Sequence, residues 1–584
     1  MPAKYDKPIS PLLLTDFYKI CHRGFYNPKL EQLVDYWTPR KSRIEGVDYS
    51  VMFGAQYVFK KYLIDYFNVY FFEEDWAVIE QDYMDTIGPT MSYDIAREEL
   101  SAFKELHSLG YLPIKISAVP EGTIVPIRVP MIKFEITDKR FYWIINYLET
   151  LISCCIWFPM TAATIAYNLR TNVVNPWYDK TVDDDVVRSG ACGDFSMRGM
   201  TSPESAPLAD AGHLLSFSST ATVPSIPWLR NFYNATGVFA KGTPSTEHSV
   251  MESYTPANEF ECYRHLIEDV MPSGPLSIVS DTWNLWNVLI DYMPRLKNSI
   301  MKRNGKVIIR PDSGDPTDIL CGSLNKSDYM IIEGLTEDGI KDYFAKKAED
   351  DYEYNGASES WYRVRIGDYL YKVTCDHTWY PDEDDDVDGH YGAEVEYVYF
   401  EKSEITSEMK GVIELLWEVF GGKINSKGYK VLDSHIGAIY GDAITTQRAA
   451  EIYSRLAEKG FASNNVVLGI GSYTYQYVTR DSLGFALKAT YGVIDGVETQ
   501  MFKDPITDRA NGNNFKKSQK GLCHVFVGED GRLAYTDEWT EETLKAEEER
   551  TGQKNLLVPV FENGELLIDY SLDDIRNRLH NNEF

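Results

Sequence analysis

Two rhythms of apolar and polar residues run along the chain. In the first, apolar residues recur three and four apart, and SVMFGAQYVFKKYLIDYFNVYFF (50–72), FYWIINYLETLISCCI (141–156) and residues 161–174 read as helices. In the second, short apolar runs end in polar residues and lead into helical stretches. LLSFSSTATV (214–223), LSIVSDTW (276–283), VIIRPDSGDP (307–316), HIGAIYGDAI (435–444), NVVLGIGSYT (465–474) and FALKATYGV (485–493) follow this form. Spacers such as TTQRAAEIYSRLAEKG (445–460) separate them. Strand, polar tip and helix in alternation predict an α/β fold, as a barrel or as an open sheet, with the chemistry at the polar tips.

Other stretches depart from both rhythms. LPIKISAVPEGTIVPIRVPMIKFEIT (112–137) alternates between Pro and Gly punctuation and predicts short strands of a small β unit. Residues 318–405 carry YRVRIGDYLYKVTCD, AEVEYVYFE and the acidic run DEDDDVD (382–388), and predict an inserted, acidic, β-rich subdomain. The acidic run lacks the spacing and the glycine of an EF-hand and reads as a solvated loop. The C-terminal stretch 522–584 predicts strands and turns closed by a short helix, DDIRNRL. The expected domains are 1–160 completed by 500–584, an α/β barrel over 161–499, and the insertion at 318–405.

Charge narrows the partners. With 58 basic against 88 acidic residues, the net charge of -30 opposes binding to nucleic acid or to an anionic membrane. Any phosphate-binding pocket must gather its few cations locally. The eight Cys show neither a Cys-x-x-Cys pair nor zinc spacing. The opening MPAKYDKPIS has no apolar signal segment, and no run approaches the length of a membrane span, so a cytoplasmic protein is expected.

Candidate chemistry sits at the strand tips. Arg310 can clamp a phosphate or carboxylate with two hydrogen bonds, Asp312 can hold a ribose hydroxyl, magnesium or an amide, and Gly314 admits close backbone approach. Asp281 ends a second strand, Gly441 and Asp442 a third, and Gly471 and Ser472 a fourth, where backbone N–H groups can meet phosphate; no P-loop is present. Arg40, Lys41 and Arg43 form one cationic cluster, and Arg480, Lys488, Lys503, Lys516, Lys517 and Lys520 follow downstream. His248, beside Glu247, suits a general base, a phosphoryl acceptor or a hydrogen-bonded structural histidine. Phe195 and Arg198 offer an aromatic face and a cation within one turn. Each group also fits an ordinary strand-end turn or a solvated face.

Taken together, LLLTDFYK (12–19), VPEGTIVP (119–126), YLETLIS (147–153), EHS (247–249), VSD (279–281), RPDSGDP (310–316), YGD (440–442), TRD (479–481), FKDP (502–505) and KKSQKG (516–521) resemble the nicotinamide phosphoribosyltransferase family, in order and spacing, outside 318–405. The resemblance implies an irregular α/β barrel with a packed β-rich N- and C-terminal domain. It also implies a head-to-tail homodimer whose active sites borrow residues from the partner. The substrates would be nicotinamide and PRPP, with Mg2+ carried by pyrophosphate and ATP as co-substrate. By position, Tyr18, with Asp16, would stack on the base and Phe195 would cover its other face. Arg310, Asp312 and Asp281 would serve base and ribose. Gly441, Asp442, Gly471 and Ser472 would line the nucleotide phosphate, Arg40, Arg198, Arg480, Lys488 and Lys503 would bind phosphate or pyrophosphate, and His248 would be phosphorylated by ATP.

Two positions depart from the family pattern. Where the family has an Asp that accepts from the amide NH2 of nicotinamide, this chain has Ala221 within SSTATV (218–223). That loss relaxes rejection of nicotinate, unless Thr220, Thr222 or Asp194 takes the amide. At GIGSYTY, Ser472 replaces a glycine and adds a hydroxyl donor. The expected activity is synthesis of nicotinamide mononucleotide; the alternatives are a nicotinate enzyme and a non-catalytic scaffold.

Overall fold

The computed structural model describes residues 8–183, 185–355, 359–381, 391–506 and 517–581. The acidic run 382–388 and Lys516 therefore lie outside the described residues. The chain forms two compact units: Met1–Asn172, Cys192–Gly242 and Ile470–Phe584 make one, and Val173–Ala191 with Thr243–Gly469 the other.

The first unit is built on a seven-stranded antiparallel sheet. Its order is Val497–Gln500, Phe485–Ile494, Leu30–Pro39, Ile132–Ile136, Ile114–Ala118, Val558–Glu562, Glu565–Leu566. Phe485–Ile494, which reads as one of the alternating α/β strands, instead pairs antiparallel with Leu30–Pro39. Its ten residues keep one face in the core, where the rings of Trp37 and Phe485 stack at 5.2 Å. Strands Cys192–Asp194 and Ser219–Thr220 pair in parallel in the same unit. Of the predicted strand 214–223 only these two residues, Ser219 and Thr220, are extended.

The break predicted between 156 and 161 does not occur. Helix Ile144–Leu169 runs through Pro159, and helical backbone continues to Thr181. A proline inside a helix costs about 3 kcal/mol. Burial of most of this helix offsets that cost, and the ring of Pro159 fills the space opposite Gly54, where a Cβ would stand 2.4 Å from Pro159 Cγ. By length and composition this helix could cross a membrane, contrary to the sequence reading, but 72% of its apolar window is buried inside the fold.

In the second unit, strands Leu276–Val279, Val307–Arg310, Ile436–Tyr440 and Val466–Ile470 are parallel neighbours in that order. The architecture is mixed α/β, an open, curled half-barrel sheet with separate β-rich sheets. Within 318–405 the chain forms a helix on a sheet: Ile340, Phe344 and Ala348 of helix Ile340–Asn355 pack on Val364, Tyr371, Val373 and Cys375. The sheet is the antiparallel set Glu359–Ile366, Tyr369–Pro381, Tyr391–Glu404. Its two chain ends meet at Gly322 and Gly411, both with positive φ; a Cβ on Gly411 would stand 2.2 Å from the amide of Gly322. Glu414 ties it down, pairing with Arg365 at 2.7 Å and Lys459 at 2.8 Å.

Candidate active site

Three groups of side chains form at the positions singled out in the sequence. The first lies beyond the tips of the parallel strands in the second unit. The backbone amide of Asp312 donates to Asp281 Oδ2 at 2.9 Å, which fixes the turn after Arg310 against the strand Leu276–Val279. Asp281 Oδ1 is buried and has no hydrogen-bond partner among the described residues. His248 opens a short helix after a segment that runs alongside this strand, where Thr246 bonds Ser277 and Val279. Its Nδ1 lies 3.1 Å from Thr282 Oγ1, and its Nε2 faces Asp312 Oδ2 at 3.9 Å. Arg310 pairs in register with Val279, and its carbonyl accepts from Ser280 at 3.0 Å.

The same tip is strongly acidic. Tyr440 donates to the Gly314 carbonyl at 2.8 Å. Its hydroxyl is pushed up by burial and then by Asp442, Asp281, Asp312 and Asp315. Asp315 is already committed, since it caps helix Pro316–Cys321 through Thr317 and Asp318. Asp442 is exposed, beside Ala443 in the left-handed region at φ 51°. Among the described residues no three His, Cys, Asp or Glu side chains converge to hold a metal.

The second group, in the first unit, carries Phe195, Arg198, Ala221, Gly471 and Ser472. Phe195 donates its amide to Ile470 at 2.9 Å, and a Cβ on Gly199 would fall 2.0 Å from Ser472 Oγ. The two loops are therefore in contact, and only glycine fits at 199. Ser472 turns its hydroxyl toward that contact. Ala221 is exposed, while Thr220 and Thr222 on either side point inward. Thr222 Oγ1 donates to Asp194 at 2.7 Å, and Thr220 Oγ1 donates to Asp210 at 2.7 Å while accepting from the Thr222 amide at 2.9 Å. Asp194 also takes the Ser196 amide and hydroxyl. None of the three residues offered as substitutes for the missing carboxylate therefore turns its side chain outward.

Burial raises the Asp194 carboxyl to about 6, against the pull of Thr222 and Ser196. Asp210 is pushed well up by burial and then by Asp194. His213 Nε2 donates to the Ser219 carbonyl at 3.2 Å, so Nδ1 accepts from Tyr475 at 2.7 Å. Burial holds this imidazole down at about 3.

The third group, also in the first unit, surrounds the short turn Phe17–Lys19. Asp16 accepts from Thr150 at 2.7 Å. Tyr18 is 60% exposed. Its hydroxyl is raised by partial burial, then by Glu149 and Asp16, and is opposed by Arg480. Arg40 donates to the Gly484 carbonyl at 3.1 Å and is lowered by burial and then by Arg480, so two guanidinium groups are neighbours. Lys488 lies 3.5 Å from Glu149. Lys503 is exposed, with its backbone paired to Ser518, and none of its described contacts reaches the other groups.

Sequence reasoning did not find Thr282, Asp210, Asn146 or Glu149. Asn146, Glu149 and Thr150 stand at helical spacing within NYLET, a signal that would have placed them on one face. Asp210 sits in the small-residue run APLADAG, where a lone acid marks a buried network.

Comparison with known proteins adds an independent line. The profile of the nicotinate phosphoribosyltransferase (NAPRTase) family matches residues 191–359 and 391–558. The stretch between them, 360–390, includes the strand Tyr369–Pro381. A nicotinamide phosphoribosyltransferase of Acinetobacter baylyi is 36% identical over 98% of this chain and 97% of its own length. A second, from Xanthomonas campestris pv. campestris, is 27% identical over 97% of each chain. A nicotinate-nucleotide pyrophosphorylase from Pyrococcus furiosus has a similar fold, with a TM-score of 0.50 at 12% identity, covering 100% of this chain and 97% of that one.

Proposed function

This chain belongs to the nicotinate phosphoribosyltransferase (NAPRTase) family and is a phosphoribosyltransferase of NAD salvage, using PRPP and a nicotinamide/nicotinate-type base; we propose that its base is nicotinamide. The observation that carries the choice of base is the end-to-end likeness, at 36% identity, to the Acinetobacter baylyi nicotinamide enzyme.

The pyridine nitrogen attacks C1 of the ribose as the bond from C1 to pyrophosphate breaks. Charge develops on the ribose ring and on the leaving group. Tyr18 and Phe195 supply flat faces that hold the ring in line. Asp312 and Asp281 take the ribose hydroxyls and Arg310 the phosphate beside the base. Gly441, Asp442, Gly471 and Ser472 line the nucleotide phosphate. Arg40, Arg198, Arg480, Lys488 and Lys503 draw the anionic substrate into a chain of net charge -30. The exposed rings of Phe17 and Tyr18, 57% and 60% bare in the single chain, support a homodimer in which they enter the partner's site.

Magnesium, arriving on the diphosphate of PRPP, would neutralise the departing pyrophosphate. Asp312, partly exposed and turned by its amide hydrogen bond to Asp281, would meet the ion's water shell. His248 is the acceptor for the γ-phosphoryl of ATP: a nitrogen–phosphorus bond forms as the bond to ADP breaks. The protein works in the cytoplasm.

Product analysis of purified protein with Mg2+, PRPP and either base, with and without ATP, tests this reading. Nicotinamide mononucleotide is expected, in greater yield with ATP. Nicotinate mononucleotide alone would move the assignment to the second reading, a nicotinate enzyme. That reading draws on the exposed Ala221 and the inward Thr220, Thr222 and Asp194, which leave none of the discussed carboxyls at this loop to repel an acid.

A further inference from the structure

The turn that carries Tyr18 is three residues long, too short to hold itself. One face of the helix Ile144–Leu169 clamps it. Thr150 reaches Asp16 at 2.7 Å, Asn146 reaches His22 Nδ1 at 2.8 Å and Lys19 at 3.2 Å, and Glu149 Oε2 pairs with Lys19. Lys19 is only 3% exposed, so its ammonium depends on these partners. The other oxygen of the same carboxyl, Oε1, lies 3.5 Å from Lys488 on the strand Phe485–Ile494. Lys488 is partly open to solvent, whereas Lys19 is not. Behind them Asp35 is buried, with Oδ2 lacking a partner among the described residues. Burial and Glu149 raise its carboxyl, and Lys488 and Lys19 lower it.

We propose that Glu149 is a positioning residue that couples the two ends of the substrate pair, its one carboxyl group shared between the lysine that fixes the base-stacking turn and the lysine that meets pyrophosphate. When pyrophosphate draws Lys488 away, Glu149 turns wholly to Lys19 and the Tyr18 turn tightens. Pyrophosphate thus improves binding of the base. This rests on the reading that Tyr18 touches the base and Lys488 the pyrophosphate.

Calorimetric titration of nicotinamide, and separately of nicotinate, into the full chain with and without magnesium pyrophosphate measures the coupling. In the native protein, pyrophosphate should lower the dissociation constant of the bound base about five-fold or more. In Glu149→Gln the shift should fall below about two-fold, with the base weakened in the absence of pyrophosphate. Glu149→Asp, which keeps the charge but loses one methylene of reach, should also lose the coupling, and it replaces Glu149→Gln if that variant does not fold. Coupling that persists in the variants, or is absent from the native protein, overturns the proposal. Tyr18→Ala and Lys488→Ala separate the two levels. If they weaken base and pyrophosphate respectively while Glu149→Gln keeps the coupling, the site reading stands and the proposal fails. If neither weakens its ligand, both fall.

Discussion

Asp194 and Asp312 both end parallel strands, and the fold treats them in opposite ways. Asp194 is buried and saturated, taking hydrogen bonds from Ser196 and Thr222, and its charge helps to push the buried Asp210 carboxyl up. Asp312 is partly exposed, held through its amide by Asp281, with its carboxyl turned toward His248 at 3.9 Å. The first carboxyl is spent on the fold, and the second is available to a ligand. A strand-end aspartate is therefore not a site until its remaining lone pairs are counted.

The most severe test of this contrast is Asp312→Ala. It should lower kcat/KM by about 10²–10³-fold while the melting temperature moves by less than about 2 °C. His248→Ala should leave stability equally untouched and remove the stimulation by ATP. Asp194→Ala should behave in reverse. It strands the hydroxyls of Thr222 and Ser196 in the interior, and unfolding in urea should report a loss of about 3 kcal/mol. An Asp312→Ala protein that melts far below the native one would erase the distinction.

A second test uses pH. Asp35 is raised to about 7 and Asp194 to about 6, in both cases chiefly by burial. A raised carboxyl holds its proton in the folded chain after the unfolded chain has released it. Its stabilising contribution is complete below the unfolded value near 4 and is lost as pH rises through the folded value. Native stability should therefore fall between about pH 4 and pH 7, each group adding a slope of at most about 1.4 kcal/mol per pH unit. Asp35→Asn should flatten part of that slope, measured by urea unfolding at several pH values. A slope unchanged in the variant would mean that Asp35 is ionised in the fold.

How far the sequence carries follows from the range of the interactions. The strand tips at 276–283, 307–316 and 435–444 are legible because each is a local pattern, an apolar run with a polar end. Long-range pairing is not. The partnership of Leu30–Pro39 with Phe485–Ile494 spans most of the chain, and the period of Phe485–Ile494 suits either sheet. Some family-like motifs prove to be structural. Glu121 of VPEGTIVP is buried and accepts from the amides of Gly54 and Gln56 at the start of a helix, and a Cβ on Gly122 would stand 2.4 Å from the Ile575 carbonyl. At Ala221 the letters show what is missing, but only the inward turn of Thr220 and Thr222 shows that neither replaces it.

Ala221→Asp gives the smallest change in stability and the finest cut of the comparison. The position is exposed between two buried neighbours, so a carboxyl there meets solvent, and stability should change by no more than about 0.5 kcal/mol. Its Cβ would not disturb the threonine bonds to Asp194 and Asp210, which run the other way. On the proposed placement of Ala221 at the base, the new charge would repel nicotinate and accept from the amide of nicotinamide. The ratio of kcat/KM for nicotinamide over nicotinate should rise about 10-fold, one hydrogen bond's worth of discrimination, with the melting curve superimposed on the native one. If the ratio stays fixed while Asp312→Ala lowers turnover as expected, base selection does not pass through this loop.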